Sequence, residues 1–205
     1  MGGNRIFLLY LAIGSTRFLL FLVLPVGVGV KMKRYKENLP YGHAAERDVA
    51  RIFDLKGYTS WRIKKHNDDP SGKGVEFEDV HELSYSAPDL LVYNKKNARI
   101  VEVKHMETCG YYEGVWTVPL SYTDFVKYVE MNNKSQIKLC IVWVVDGGLR
   151  DGRISPSGKF CQDIDFLFKN LHSCVQEKNL VFWKVDDLAN LHSWSLPVVK
   201  KYKVA

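Results

Sequence analysis

The chain has 205 residues, 46% of them hydrophobic and 13% aromatic, and carries a net charge of +6. That length suits one domain with a small appendage, and the apolar content excludes a disordered chain. The basic balance is local: residues 31–66 hold ten Lys/Arg against four Asp/Glu. Such a segment suits a polyanion such as nucleic acid, the alternative being a basic helix face turned to solvent.

Residues 6–30 are an apolar run, Ile6 to Ile13 and Phe18 to Val30, broken at Gly14 to Arg17 and followed by Lys31, Lys33, Arg34 and Lys36. The run could just span a bilayer, although Arg17 near its middle would cost roughly 2.5–3.5 kcal/mol there. Two readings stand side by side. One is a membrane anchor, making membrane contact through residues 6–30, whose lysines keep the following domain on the cytoplasmic side. The other is a true translation start at Met32, with residues 1–31 misassigned. A secretory signal is the weakest option, since no small-x-small cleavage pattern precedes the lysines. Cytoplasmic residues 32–205 form the domain proper. Cys109, Cys140, Cys161 and Cys174 have neither C-x-x-C pairing nor histidines at metal spacing, and are expected as reduced thiols.

The run from Gly42 to Tyr58 predicts a helix, with Val49, Ile52 and Phe53 at i, i+3, i+4 spacing and Gly57 as its stop. Glu46 falls on or beside the buried face, where an acid needs a partner: a metal-bound water, the lysine discussed below, or a basic side chain in solvent. Tyr58 to His66 predicts a strand with Trp61 and Ile63 on one face and Arg62 and Lys64 on the other. Arg62, Lys64 and Lys65 among aromatics suit contacts with a DNA backbone. Residues 67–74 are a polar loop. Val75 to Leu83 is a strand or extended insert, whose Glu76, Glu78, Asp79, His81 and Glu82 could offer competing metal ligands.

Leu90 to Tyr93 and Ile100 to Val103, joined by Asn94-Lys-Lys-Asn97, predict a β-hairpin. Asp89 opens its first strand, and Glu102 and Lys104 lie two apart on the second, on one face. Two carboxylates and an ammonium at a sheet edge are economically explained by a divalent ion. The carboxylates and a carbonyl would hold Mg²⁺ and the lysine would handle a nucleophile or phosphate. The plain alternative is a surface hairpin with a Glu–Lys pair.

Farther on, Cys109 to Pro119 predicts an aromatic-rich loop, lining a DNA approach or simply packing. Ser121 caps a helix to about Met131 with Phe125, Tyr128 and Val129 as its stripe. Ile137 to Val145 predicts a strand buried on both faces. Arg150, Arg153 and Lys159 fall in a Gly/Ser/Pro loop, Phe160 to Gln176 has helical spacing, Leu180 to Val185 predicts a last core strand, and Asp186 to Leu191 predicts the start of a short helix. The basic Lys200 to Lys203 stretch closes the chain.

Pro88-Asp89, twelve intervening residues and Glu102-Val103-Lys104 resemble the PD-(D/E)XK nuclease signature. The Gly42-x-x-x-Glu46-Arg47 stretch ending in Lys56-Gly57-Tyr58 resembles the first helix of archaeal Holliday-junction resolvases. The resemblance covers roughly residues 42–146, leaving the last sixty as an extension. It implies an α/β, restriction-endonuclease-like αβββαβ core, with a mixed sheet flanked by helices. It also implies a DNA endonuclease using Mg²⁺, with Mn²⁺ as a substitute. Asp89, Glu102, the Val103 carbonyl and Glu46 would then hold metal, and Lys104 would orient the attacking water. A Gln-x-x-x-Tyr pair of the family falls on Asp124 and Tyr128, with Asp in place of Gln, so Tyr128 becomes a substrate contact and Asp124 a helix-start charge. The insert between the first helix and Pro88 departs from the resolvase pattern and leaves the substrate class open. Branched DNA would call for a homodimer with two-fold symmetry. The rival functions are a restriction-like, repair or exonuclease enzyme of the same fold, a non-catalytic DNA-binding module, and a membrane-anchored interaction domain.

Overall fold

The computed structural model describes the backbone of residues 5–13, 16–24, 33–63, 76–78, 84–86 and 88–194, and the side chains of residues 40–63, 88–175 and 177–194. The chain divides into two compact units, Met1–Glu37 and Asn38–Ala205. In the first, β1 (Arg5–Ile13) and β2 (Thr16–Leu24) pair antiparallel from Arg5↔Leu24 to Ile13↔Thr16. The described part of the apolar run is therefore two paired strands, whose Ile, Phe, Tyr and Val favour extended backbone. Among the described residues no helix is long and apolar enough to cross a membrane.

Helix α1 (Lys33–Leu55) starts nine residues before the expected Gly42 and runs through Pro40. A proline lacks an N–H and crowds the preceding turn, which is why the sequence reading began after it. Its end follows the expectation. Gly57 takes φ 79°, the Tyr58 N–H donates to Phe53 O at 3.1 Å and the Gly57 N–H to Asp54 O at 2.9 Å, a glycine-terminated cap.

Strands β3 (Thr59–Arg62), β6 (Leu90–Tyr93) and β7 (Ala98–Met106) follow, with a small separate hairpin of β4 (Glu76–Glu78) and β5 (Ser84–Ser86) inserted. Next come β8 (Gly110–Tyr112), β9 (Val115–Ser121), α2 (Tyr122–Lys134) and β10 (Leu139–Val145). The chain continues as β11 (Gly148–Arg150), β12 (Arg153–Ser155), β13 (Gly158–Asp163), α3 (Ile164–Lys169), β14 (Ser173–Val175), β15 (Leu180–Lys184) and β16 (Ala189–Asn190). The succession α1, β3, β6, β7, α2, β10 is an αβββαβ order. Its strands lie in a mixed six-stranded sheet, β16-β13-β10-β7-β6-β3, in which the neighbours β7 and β10 pair parallel and the other neighbours antiparallel. The protein is thus mixed α/β, with helices flanking a mixed sheet.

Strand β10 explains the layering. All seven of its residues are buried, and their alternation divides the core in two. Cys140, Val142 and Val144 pack with Val49, Ile52 and Phe53 of α1. Leu139, Ile141, Trp143 and Val145 pack with Phe125 and Tyr128 of α2, Leu167 of α3 and Trp183 of β15. The residues after Asp146, read as an extension, supply β13 and β16 to the same sheet and α3 and β15 to this second core layer.

Four stretches differ from the sequence reading. Cys109 to Pro119 is mostly the β8–β9 hairpin, turning through Glu113 (φ 50°) and Gly114 (φ 83°). The Gly/Ser/Pro loop forms the β11–β12 hairpin and the start of β13. Residues 160–176 are only briefly helical. Phe160 to Asp163 pair with β10 instead, and the helix is confined to Ile164–Lys169. The chance to bury Cys161 against a central strand outweighs local helical spacing. Leu180 to Val185 does hold a strand, but in a second sheet, β14-β15-β9-β8. After a 3₁₀ turn at Val185–Asp187 the chain enters β16 rather than a helix.

Candidate active site

The β6–β7 turn sets the register on which the site depends. Asn94 Oδ1 accepts the Lys96 and Asn97 N–H groups at 2.8 and 2.9 Å, and the Asn94 N–H donates to Asn97 O at 2.8 Å. An Asx turn of this kind locks the pairs Tyr93↔Ala98 to Leu90↔Val101. Along β7, Val101 and Val103 then face α1, whereas Ile100 and Met106 face α2. By the same alternation Glu102 and Lys104 take the α2 side.

At the Leu90 end, β6 stops short of β7. The Asp89 N–H donates to Val101 O at 3.1 Å, after which Pro88 cannot continue the ladder. The Val103 peptide therefore lies past the last strand pair. The Asp89 carboxylate substitutes for the missing strand: Oδ2 accepts the Val103 N–H at 2.7 Å. The Val103 carbonyl lies beyond that last pair too.

Asp89 and Glu102 are only 4% and 3% exposed. Lys104 Nζ donates to Glu102 Oε1 at 2.7 Å and sits 5.7 Å from the centre of the Tyr128 ring, within cation–π range. Tyr128 is held over the pair by α2. Ser121 caps that helix by accepting the Asp124 N–H at 3.3 Å, and Tyr128 is buried among Phe125, Trp143 and Trp183. Burial works against the Lys104 charge, but Glu102, Tyr128 and Asp89 outweigh it and hold the ammonium pKa above its ordinary value. Burial, reinforced by the Glu102 charge and partly offset by Lys104, pushes the Tyr128 phenol up as well. The lysine is thus kept protonated and the tyrosine neutral.

Asp89, Glu102, Lys104, Tyr128 and the Val103 peptide meet at one place. Glu46 goes elsewhere: its Oε2 lies 2.6 Å from Arg62 Nε. Arg62 pairs with Leu90, and the Ile63 N–H donates to Asp89 O at 2.9 Å, so this ion pair stands one residue along the sheet from Asp89. Among the described residues no group of three or more His, Cys, Asp and Glu is placed to hold a metal; Glu46 is not gathered with Asp89 and Glu102. Trp61 is exposed and meets the Tyr93 ring edge-on at 5.4 Å. Lys64, Lys65 and the side chains of Glu76, Glu78, Asp79, His81 and Glu82 lie outside the described residues, as does Lys200 to Lys203.

The donor set is hard: two carboxylates and a backbone carbonyl, with sulfur and imidazole absent from the cluster. A carboxylate has about four lone-pair sites, so the Val103 bond does not exhaust Asp89. Mg²⁺, which takes one or two carboxylates and keeps several waters, suits such a set.

Sequence reasoning missed a second constellation. His105, next to Lys104 and so on the α1 face, has Nε2 2.9 Å from Asp146 Oδ2 and stacks on Tyr41 at 5.9 Å. With Arg47, Asp48 and Arg51 these residues line an open groove of about 460 Å³. The alternation Glu-Val-Lys-His placed His105 opposite Lys104, but its partners come from residues 64 positions before and 41 after it, which no local pattern links.

No family model and no curated protein matches the chain. Among solved structures, the chain is similar to Hjc from Archaeoglobus fulgidus, a Holliday junction resolvase from an archaeal hyperthermophile. The two are 12% identical, the match covers 74% of this chain and 97% of that one, and the TM-score is 0.47.

Proposed function

We propose that the protein is a Mg²⁺-dependent nuclease that hydrolyses phosphodiester bonds in DNA, with Mn²⁺ able to substitute. The observation that carries this reading is the convergence of Asp89, Glu102 and Lys104 on the Val103 peptide, at the point where β6 stops short of β7. Together with the spacing of Pro88-Asp89 and Glu102-Val103-Lys104, it supports a PD-(D/E)XK type of site. Asp89, Glu102 and the Val103 carbonyl would hold the ion. Once bound, the metal supplies a Lewis acid for the scissile phosphate and a lowered pKa for water.

The remaining chemistry belongs to the chain's own side chains. Lys104, held protonated, is a poor general base, so its role is electrostatic. It steers a water or a non-bridging phosphate oxygen and offsets charge as the phosphorus becomes five-coordinate. Tyr128, buried beside Lys104, shields the Glu102–Lys104 pair from bulk water. Arg62, braced by Glu46 and 42% exposed, is a candidate for the phosphate backbone beside the cut, and Lys64 and Lys65 extend the same basic segment.

Branched DNA is the finer form of the proposal, with two chains related by a two-fold axis making paired cuts. The test uses the full chain with Mg²⁺ on labelled four-way junction, flap, single-stranded and linear duplex DNA, beside Lys104→Ala and Glu102→Ala. Cleavage lost in both variants supports the nuclease. A four-way junction cut no better than linear duplex sinks the branched-DNA form. DNA binding without cleavage in Mg²⁺ or Mn²⁺ leaves a DNA-binding module.

A further inference from the structure

The β11–β12 hairpin has its amphipathic faces reversed. It turns through Asp151 (φ 50°) and Gly152 (φ 74°), a two-residue turn whose twist matches that of the ribbon. Its cross-strand pairs are Gly148↔Ser155, Leu149↔Ile154 and Arg150↔Arg153. Side chains alternate along a strand, so the apolar pair occupies one face and the arginine pair the other.

The arginine face turns toward the protein. Arg150 Nη1 donates to Thr108 Oγ1 at 3.3 Å and to Cys109 O at 3.2 Å, and the Arg153 guanidinium lies 4.5 Å from the Tyr111 ring centre. Below them, the buried Ser155 hydroxyl accepts the Cys109 N–H at 2.8 Å. The apolar face turns to water, with Leu149 75% and Ile154 83% exposed. A ribbon packed only for stability would do the reverse. A braced ribbon that holds two branched apolar side chains out in solvent is shaped for a partner.

The root of the ribbon narrows the choice. The Asp146 N–H donates to Met106 O at 3.0 Å and the Gly147 N–H to Glu107 O at 2.9 Å, so the ribbon leaves the sheet within three residues of Lys104. Arg150 keeps 46% of its side chain exposed, so its charge remains available along the ribbon edge. Two apolar side chains are far too little for a stable dimer interface, which needs on the order of 1,200 Å² in total, whereas a wedge into stacked bases needs no more than one or two.

Resting on the nuclease reading, we propose that the β11–β12 ribbon is a wedge for duplex DNA. Leu149 and Ile154 press against base steps from the minor groove, Arg150 at the ribbon edge adds its charge toward a flanking phosphate, and Arg153 braces the ribbon against Tyr111. The test follows fluorescence of 2-aminopurine placed at successive steps of a duplex, with Ca²⁺ in place of Mg²⁺ to suppress cleavage. Full-length wild-type protein and Lys104→Ala are both expected to raise the fluorescence at one step as the base unstacks. Leu149→Ala/Ile154→Ala should give no rise and bind the duplex about tenfold more weakly, while unfolding at the wild-type temperature.

A double variant that keeps the fluorescence rise overturns the wedge, as does a wild-type protein that binds and cuts DNA without unstacking any step. A wild-type dimer that becomes monomeric in the double variant, with DNA binding unchanged, overturns it too, since the ribbon is then a subunit contact. Unstacking by a wild-type protein that never cleaves removes the nuclease reading and leaves the wedge standing.

Discussion

The Val103 N–H donates to Asp89 Oδ2 at 2.7 Å, on the edge of β7 that β6 leaves uncovered. One side chain thus completes a sheet edge and contributes to the candidate site. The two roles separate by substitution. Asp89→Ala strands a half-buried N–H and should cost about 1–3 kcal/mol in urea unfolding. Asp89→Asn keeps an oxygen acceptor and should lie within about 1 kcal/mol of wild type, yet its cleavage rate should fall at least 100-fold because the charge is gone.

Glu102 and Lys104 form a pair of which the carboxylate is the buried member, its side chain 4% exposed against 32% for the lysine. Lys104→Met leaves that carboxylate without its ammonium and is expected to destabilise by roughly 1–3 kcal/mol. Adding Glu102→Gln should recover part of the loss, so a double-mutant cycle read by chemical denaturation should show coupling of about 1 kcal/mol or more. Additive effects would mean that the pair contributes nothing to stability.

The same pair, with Tyr128, sets an alkaline limit. Both Lys104 and Tyr128 bind their protons more tightly in the folded chain than at their ordinary values of 10.5 and 10.0. Their contribution is therefore fully present below about pH 10 and is lost as pH rises beyond those values, by at most about 1.4 kcal/mol per pH unit for each group. Tyr128→Phe should flatten the decline between pH 10 and 11.5 in unfolding curves. An unchanged slope would show that the phenol is not coupled to the site.

Thiol labelling reads the core directly. Cys109, Cys140 and Cys161 are buried and Cys174 is exposed, all four without disulfides. Burial pushes the Cys140 and Cys161 thiols well up, Cys161 beyond the range in which a thiolate forms in neutral water. One equivalent of a maleimide should react quickly at pH 7.5 and three more only after unfolding. Rapid reaction at Cys140 would contradict the packing of β10.

How much was legible in the sequence follows from the range of each signal. The hairpin around Asn94, the glycine stop at Gly57, the Ser121 cap and the all-apolar β10 are local patterns, decided by neighbours a few residues away, and all are found. So is the face shared by Glu102 and Lys104, because alternation along a strand is a property of the backbone alone. The helix expected over residues 160–176 failed for the opposite reason: Phe160 to Asp163 have a β10 edge to pair with, and that edge is seventeen or more residues away in sequence.

From sequence alone, then, came the members of the candidate site: two acids, a lysine and the strand that aligns them. Only the tertiary structure decided how those groups are spent. It hands Glu46 to Arg62, lays Tyr128 over Lys104, and turns Leu149 and Ile154 outward on a braced ribbon. Each of these depends on which surfaces meet when α1, α2 and the late strands close over the sheet, and burial is a property of the assembled fold that no short stretch of chain encodes.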